Sequence, residues 1–176
     1  IANALTTTGA VTINGINTYN GLTTISAGTL RLGAAGDPVN GPLGSLGSGA
    51  LVSSGAGLDL NGITLVTPEV LTLNGAGVSN GGALMNSSAS AVACSNSITL
   101  GSASSIVGTN GTITITGTIN GAYDLTLGGS GAGNSVTGII GTGAGTVTKA
   151  GAGTWILSGT NTYTGATTIN AGTLRL

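Results

Sequence analysis

The chain has 176 residues, of which 35 are glycine and 4% are charged, with a formal net charge of −1 and no histidine. Three isolated cations, Arg31, Lys149 and Arg175, cannot neutralise a run of phosphates, and this excludes nucleic acid as a partner. No apolar run reaches the roughly 18 residues that a transmembrane helix needs, while an apolar content of 40% argues against disorder.

The first predicted elements lie in residues 11–32, which read VTINGINTYNGLTTISAGTLRL. Apolar and polar residues alternate here, and alternate residues of a strand face the same side. Leu30 and Leu32 are therefore expected to point inward, with Arg31 pointing outward.

The Asn-Thr-Tyr triplet of residues 17–19 recurs at residues 161–163. We interpret it as a corner in which the asparagine closes the turn through its own side chain and the tyrosine covers the edge of the coil. A binding role for the triplet is the alternative.

Short β-type runs follow, separated by glycine-rich turns such as NG, AG and GAG. They are 57–60, 63–66, 70–73, 97–100, 112–119, 124–127, 135–140 and 146–148. Many show a Leu-x-Leu or Ile-x-Ile pattern, so Leu58 and Leu60 are expected to face inward and Asp59 to face solvent, as are Asp124 and Arg175. No segment has a 3.6-residue period over ten or more residues, and the prediction is all-β.

The acidic residues raise the possibility of an enzyme, because many β-helix proteins cleave polysaccharides with paired acids. Asp37, Asp59, Glu69 and Asp124 are far apart in sequence, although stacking could align Asp59 with Asp124. Because the chain also lacks histidine, we predict a non-enzymatic protein with no catalytic, cofactor-binding or metal site.

The single cysteine, Cys94, cannot form an intrachain disulfide and is expected to be a small buried apolar residue.

Two further patterns suggest functions that we set aside. Thr112, Thr114 and Thr116 form a T-x-T-x-T run that could order water, as ice-binding faces do, but ordinary β-propensity on a solvent face explains it as well. The glycine stretches at 143–145 and 151–153 lack the lysine and the following helix of a phosphate loop.

Residues 155–176 repeat residues 11–32 at an offset of 144, with fourteen of 22 positions identical. Trp155 aligns with Val11, so we expect it to be buried, with smaller inward neighbours. Leu176 falls in the middle of a predicted strand, and we expect the array to continue beyond one or both ends of this segment. Short strands, tight turns and repeated segments favour a solenoid, in which about 20 residues per coil would give about seven coils between the copies.

The segments GINTYNGLTTISAGTLRL and KAGAGTWILSGTNTYTGATTINAGTLRL resemble the autotransporter-associated β-strand repeat. Trp155 departs from the leucine usual in that family. The resemblance implies a right-handed, single-stranded parallel β-helix from the passenger regions of large secreted bacterial surface proteins. It suggests one continuous solenoid over residues 1–176, with family repeats at 11–32 and 147–176 and linking coils at 33–146.

These features predict a structural repeat of an extracellular or cell-surface rod or filament. Its expected partners are further repeats or subunits, stacked end to end, because an open sheet edge favours pairing. The alternative is an adhesin passenger that binds surface glycans or neighbouring cells. Such a site should present exposed aromatic side chains, and aromatic residues make up 2% of the chain.

Overall fold

The computed structural model describes residues 3–176, with side chains from residue 9 onward. Short parallel strands stack turn upon turn into a β-solenoid of about eight turns. A 3₁₀ turn at Val78–Asn80 is the one helical element among the described residues. The predicted all-β, parallel solenoid is therefore confirmed.

The strands are short and follow one another along the whole described chain. In order they are β1 (Asn3–Ile13), β2 (Thr23–Leu32), β3 (Asn40–Gly41), β4 (Gly44–Ser45), β5 (Ala50–Val52), β6 (Ala56–Asp59), β7 (Val70–Gly75), β8 (Leu84–Asn86), β9 (Val92–Cys94), β10 (Ser97–Gly108), β11 (Ile113–Ile115), β12 (Ile119–Asn120), β13 (Leu125–Gly128), β14 (Asn134–Val136), β15 (Ile140–Gly141), β16 (Val147–Lys149), β17 (Thr154–Leu157), β18 (Thr167–Ile169) and β19 (Thr173–Arg175). The pair β3–β4 is an antiparallel hairpin, and the other ladders between strands are parallel.

Each turn of the solenoid contributes to three faces. The first face contains 3–5, 23–25, 50–52, 71–73, 98–100, 119–120 and 140–141. The second face contains 10–13, 28–32, 56–59, 84–86, 104–108, 125–128, 147–149 and 167–169. The third face contains 92–94, 113–115, 134–136, 154–157 and 173–175.

The core consists of aliphatic columns that run along the solenoid axis. On the second face, five fully buried residues from successive turns lie in register: Leu30, Leu58, Leu84, Ile106 and Leu127. A single turn cannot bury its own apolar side chains, so this stacking supplies the stability.

Trp155 lies in the corresponding column of the third face, between Asn134 and Leu174 of the neighbouring turns. It is fully buried, as predicted, and its Nε1 donates to the carbonyl oxygen of Gly128 at 2.9 Å. This hydrogen bond satisfies the indole N–H inside the core.

The two repeat copies have the same strand pairing, but their equivalent strands lie on different faces of the solenoid. Asn3 pairs with Thr23 and Val147 pairs with Thr167, so the two copies pair at the same separation along the chain. The strand 23–25 nevertheless lies on the first face, whereas 167–169 lies on the second.

Turn length varies along the solenoid. Leu30 pairs with Val11 in the preceding turn and with the more distant Leu58 in the following one. From one copy of the repeat to the next, the chain completes six full turns and advances by one face. The copies are therefore six and one-third turns apart, close to the seven predicted.

Some predicted strand boundaries were wrong. Residues 63–66 form no strand, because Ile63 donates its N–H to the carbonyl of Leu60 in a turn. The runs 112–119 and 135–140 are each interrupted by a corner. At two such corners, Gly138 and Gly159, a β-carbon would collide with the carbonyl oxygen of the preceding turn, so the stacking itself requires glycine.

Candidate functional site

The four carboxylates are dispersed over the solenoid and do not converge. The Asp37 side chain accepts the N–H groups of Asn40 and Val39 at 2.8 and 2.7 Å, and these bonds hold its pKa below the ordinary value. The Asp124 side chain likewise accepts the N–H of Thr146 at 2.8 Å, which lowers its pKa. Both groups stabilise exposed loops.

Stacking does not align Asp59 with Asp124. The register places Asp59 in one column with Met85, Val107 and Gly128. Asp124 lies four positions before Gly128, just before β13 begins at Leu125. The paired-acid geometry of a glycosidase is therefore not formed by these two residues.

Asp59 is fully buried, and the prediction that it faces solvent was wrong. Its Oδ2 accepts Nε of Arg31 at 3.0 Å and the hydroxyl of Ser87 at 2.6 Å. Its Oδ1 accepts the N–H groups of Asn61 and Ser87. The side chain does point away from the core, but residues of the adjacent turns cover it.

Lys149 occupies the inward column of the second face, next to Leu127, and is fully buried. Its Nζ donates to the carbonyl oxygens of Ala150, Gly151 and Ala171 at 2.6, 2.7 and 3.1 Å. Burial lowers the pKa of this amine. The ammonium donates to backbone oxygens of its own corner and of the next turn, and it therefore links the two turns by hydrogen bonds.

Glu69 is a second buried carboxylate, and the sequence did not predict its burial. It is 4% exposed, and both of its oxygens lack a hydrogen-bond donor among the described residues. Burial raises its pKa to about 7, partly offset by the nearby N–H of Gly49, which falls short of hydrogen-bond geometry. Asn96 shares its pocket and has an equally unpartnered Oδ1.

The threonine run does not continue from turn to turn. In the register of the third face, Thr114 lies between Ala93 and Ser135, whose Oγ donates to the threonine hydroxyl at 3.2 Å. An ice-binding array would need threonine in these neighbouring turns as well.

Cys94, on the same face, is 1% exposed, and burial raises the pKa of its thiol to about 11. Both properties fit a small buried apolar residue.

The Asn-Thr-Tyr triplets connect turns. In both copies the tyrosine hydroxyl hydrogen-bonds to the threonine four residues later, at 2.6 Å for Tyr19 and 2.8 Å for Tyr163. The expectation that asparagine closes its own turn was wrong for Asn161, whose Oδ1 accepts the N–H of Ile140 in the preceding turn at 2.9 Å. Asn17 does donate from Nδ2 to the carbonyl oxygen of Gly15 in its own corner at 3.5 Å, and it also donates to that of Pro42 at 2.9 Å.

A shallow groove of about 600 Å³ lies against the second face, next to the 3₁₀ turn. Its lining residues are small, among them Ala76, Val107, Thr126, Gly129 and Gly151. None of the residues that line it is charged or aromatic.

No group of three or more His, Cys, Asp or Glu among residues 3–176 is arranged to hold a metal. No described helix is long and apolar enough to cross a membrane.

The passenger-associated-transport-repeat family matches residues 5–32 and 147–176. Each match covers one turn of the solenoid, and the strands within the two turns pair at the same separation along the chain. The matches confirm the family resemblance seen in the sequence. The chain thus contains two segments that match this passenger repeat, and both lie on a β-solenoid. Comparison with curated proteins and with solved structures finds no match.

Proposed function

We propose that the chain is a non-enzymatic structural segment of a secreted or cell-surface rod, on which further copies of the repeat stack end to end. Passenger repeats and a β-solenoid support this role. The stacked turns form a stiff element in which backbone hydrogen bonds run along the axis.

The observation that carries the proposal is a difference in burial between the two copies. Ile25 is fully buried beneath the next turn, where Val52 pairs with it. The equivalent Ile169 pairs with Lys149 on one side and is 55% exposed. The same sequence thus needs a covering turn to complete its core, and the proposed rod supplies one.

The charges support the same covering arrangement. Arg31 meets Asp59 of the following turn, and Arg175 is the equivalent arginine of the second copy. A covering turn with the sequence of residues 50–59 would present a carboxylate to Arg175. The ladder would then continue with opposite charges in neighbouring turns, which stabilises a stack.

The first test extends the chain by a second copy of residues 33–176, placed directly after Leu176. In hydrogen exchange, we expect β18 and β19 to become as slow as β2, since both edges of each strand are then paired. Thermal unfolding should also shift upward. Fast exchange of β18 and β19 in the extended chain would contradict the proposal.

The second test uses the 176-residue chain and asks whether copies associate through this edge. We expect sedimentation to show concentration-dependent growth, which Ile169→Lys reduces by placing a charge in the interface. Ile139→Lys is the matched control, because Ile139 is 41% exposed on the side of the solenoid. Equal association of both variants would show that the contact is elsewhere.

The groove next to the 3₁₀ turn supports an adhesin as the second candidate function, since a concave strip can hold an extended ligand. Its lining lacks the aromatic rings on which sugars commonly stack, and Tyr123, which is 46% exposed, lies outside it. Binding of the chain to a glycan array, abolished by Thr126→Trp in the groove, would favour this function over the purely structural one.

A further inference from the structure

Three polar residues occupy one corner of the solenoid in three successive turns. Val70 pairs with Ser97, so Glu69 lies level with Asn96 in the next turn. Ala50 pairs with Leu71, which places Ser48 two positions before this pair and level with Glu69 in the preceding turn. The three residues line a pocket of about 360 Å³ at the corner that leads into the first face.

Glu69 and Asn96 are nine-tenths buried, at 4% and 2% exposure, yet their acceptor oxygens have no donor among the described residues. The orientation of the Asn96 amide is fixed, because Nδ2 donates to the carbonyl oxygens of Thr67 at 2.9 Å and Glu69 at 3.3 Å. Oδ1 is therefore the free atom. Buried acceptors without donors are unfavourable, so their presence together calls for a partner.

The missing partner of these acceptor oxygens must be a cation or a hydrogen-bond donor. No lysine or arginine lines the pocket. Two cations that the structure describes elsewhere in the stack are already engaged, Arg31 with Asp59 and Lys149 with backbone carbonyls. The remaining polar side chains of the lining carry hydroxyl groups, including Ser95 and Ser97, which can also offer oxygen.

We propose that this corner binds a calcium-type divalent cation, with the Glu69 carboxylate and Asn96 Oδ1 as direct ligands. Hard cations prefer oxygen ligands, and Ca²⁺ accepts six to eight of them in flexible geometry. The pocket volume leaves room for several waters that complete the shell, since each occupies about 30 Å³. With a single carboxylate, the site should be weak, with a Kd on the order of 10⁻⁴–10⁻³ M, as in extracellular calcium modules. The site does not depend on the proposed structural role.

A protonated Glu69 is the competing explanation. A neutral carboxyl group could donate its proton to Asn96 Oδ1 and satisfy both residues without a cation. Tyr19 is a titratable neighbour, and its pKa is raised by burial and, to a smaller extent, by the Glu69 carboxylate. The two explanations differ in their response to added calcium at a pH where Glu69 is ionised.

The test is titration of the 176-residue chain with CaCl₂ at pH 8, followed by calorimetry and by thermal unfolding. We expect one saturable site and a rise in Tm of several degrees at 10 times Kd. Glu69→Gln, which keeps the shape but removes the charge, should weaken binding at least tenfold and abolish the shift. Asp124→Asn, the same change at an exposed loop, should leave both unchanged.

A second variant tests the site in the opposite direction. Asn96→Asp adds a carboxylate to the pocket and should tighten calcium binding several-fold, even if the calcium-free protein melts earlier. Absence of any calcium response in the unmodified chain, an unchanged response in Glu69→Gln, or an equal response to MgCl₂ would each overturn the proposal. Stabilisation by acid alone, without a calcium effect, would identify the protonated carboxyl group instead.

Discussion

Arg31 and Asp59 lie at the same register position of neighbouring turns, and Nε of the arginine is 3.0 Å from Oδ2 of the aspartate. The contact is asymmetric, because the arginine side chain is 39% exposed and the aspartate is fully buried. The carboxylate also accepts hydrogen bonds from Asn61 and Ser87, so it joins three turns of the solenoid.

Asp59→Ala should therefore destabilise the solenoid by about 2–4 kcal/mol, since it leaves buried donors without an acceptor. Arg31→Ala should cost less, about 0–1 kcal/mol, because water screens the exposed arginine. Urea unfolding followed by circular dichroism measures both changes. Equal losses for the two variants would show that the ion pair, and not the hydrogen-bond network, dominates.

Trp155→Ala should cost about 3–5 kcal/mol, because it opens a cavity in the column between Asn134 and Leu174. Trp155→Phe should cost less, since it fills most of the volume but leaves the Gly128 carbonyl without the indole donor. In the unmodified chain, tryptophan fluorescence should be blue-shifted and resist acrylamide quenching. Strong quenching in the native state would contradict the burial of this side chain.

Cys94 should resist thiol reagents in the folded chain. Its 1% exposure blocks access, and a pKa of about 11 keeps the thiol protonated at neutral pH. The unfolded thiol ionises at lower pH, so this residue makes stability fall as pH rises from about 9 towards 11. Alkylation should be slow in buffer and rapid in guanidinium chloride, and comparable rates in both would disprove burial.

Lys149→Leu should destabilise the chain less than Lys149→Ala does, because it removes the same donor from three carbonyl oxygens but extends the aliphatic column beyond Leu127 and leaves no cavity. Lys149→Ala should destabilise the chain, since it leaves both a cavity and three carbonyl oxygens without their donor.

The pH dependence of the leucine variant provides a further check. Burial lowers the pKa of Lys149, so the folded chain releases this proton at a lower pH than the unfolded chain does. The contribution of Lys149 to stability therefore increases with pH between the folded value and about 10.4. Lys149→Leu should remove that increase in denaturation curves, and an identical pH profile in both proteins would contradict it.

The strands with Leu-x-Leu patterns were predictable because alternation decides which side chains face the core. Leu58 and Leu71 are inward for this reason alone. Alternation could not decide the exposure of Asp59, since an outward side chain is buried when the next turn carries residues long enough to cover it. For Lys149 the sequence does contain a signal of an inward position, because the repeat offset aligns it with Leu5 of the first copy.

The corner pocket could not be predicted from sequence. The step from Glu69 to Asn96 is longer than the preceding step from Ser48 to Glu69, although both join the same corner in adjacent turns. Turn lengths vary with the loops at the corners, and this variation decides which residues stack. Composition and alternation contain no information about it, so a polar column appears only when the register is known.

The displacement of the repeat by one face per period determines how a longer rod would look from the side. If copies continue at the same offset, the family motif returns to its original face after three copies, or nineteen turns, an axial advance of about 90 Å. Any lateral feature of the repeat then winds around the rod as a threefold screw. Such a rod presents each lateral feature in three directions, so it has no unique side with which to face a membrane or a neighbour.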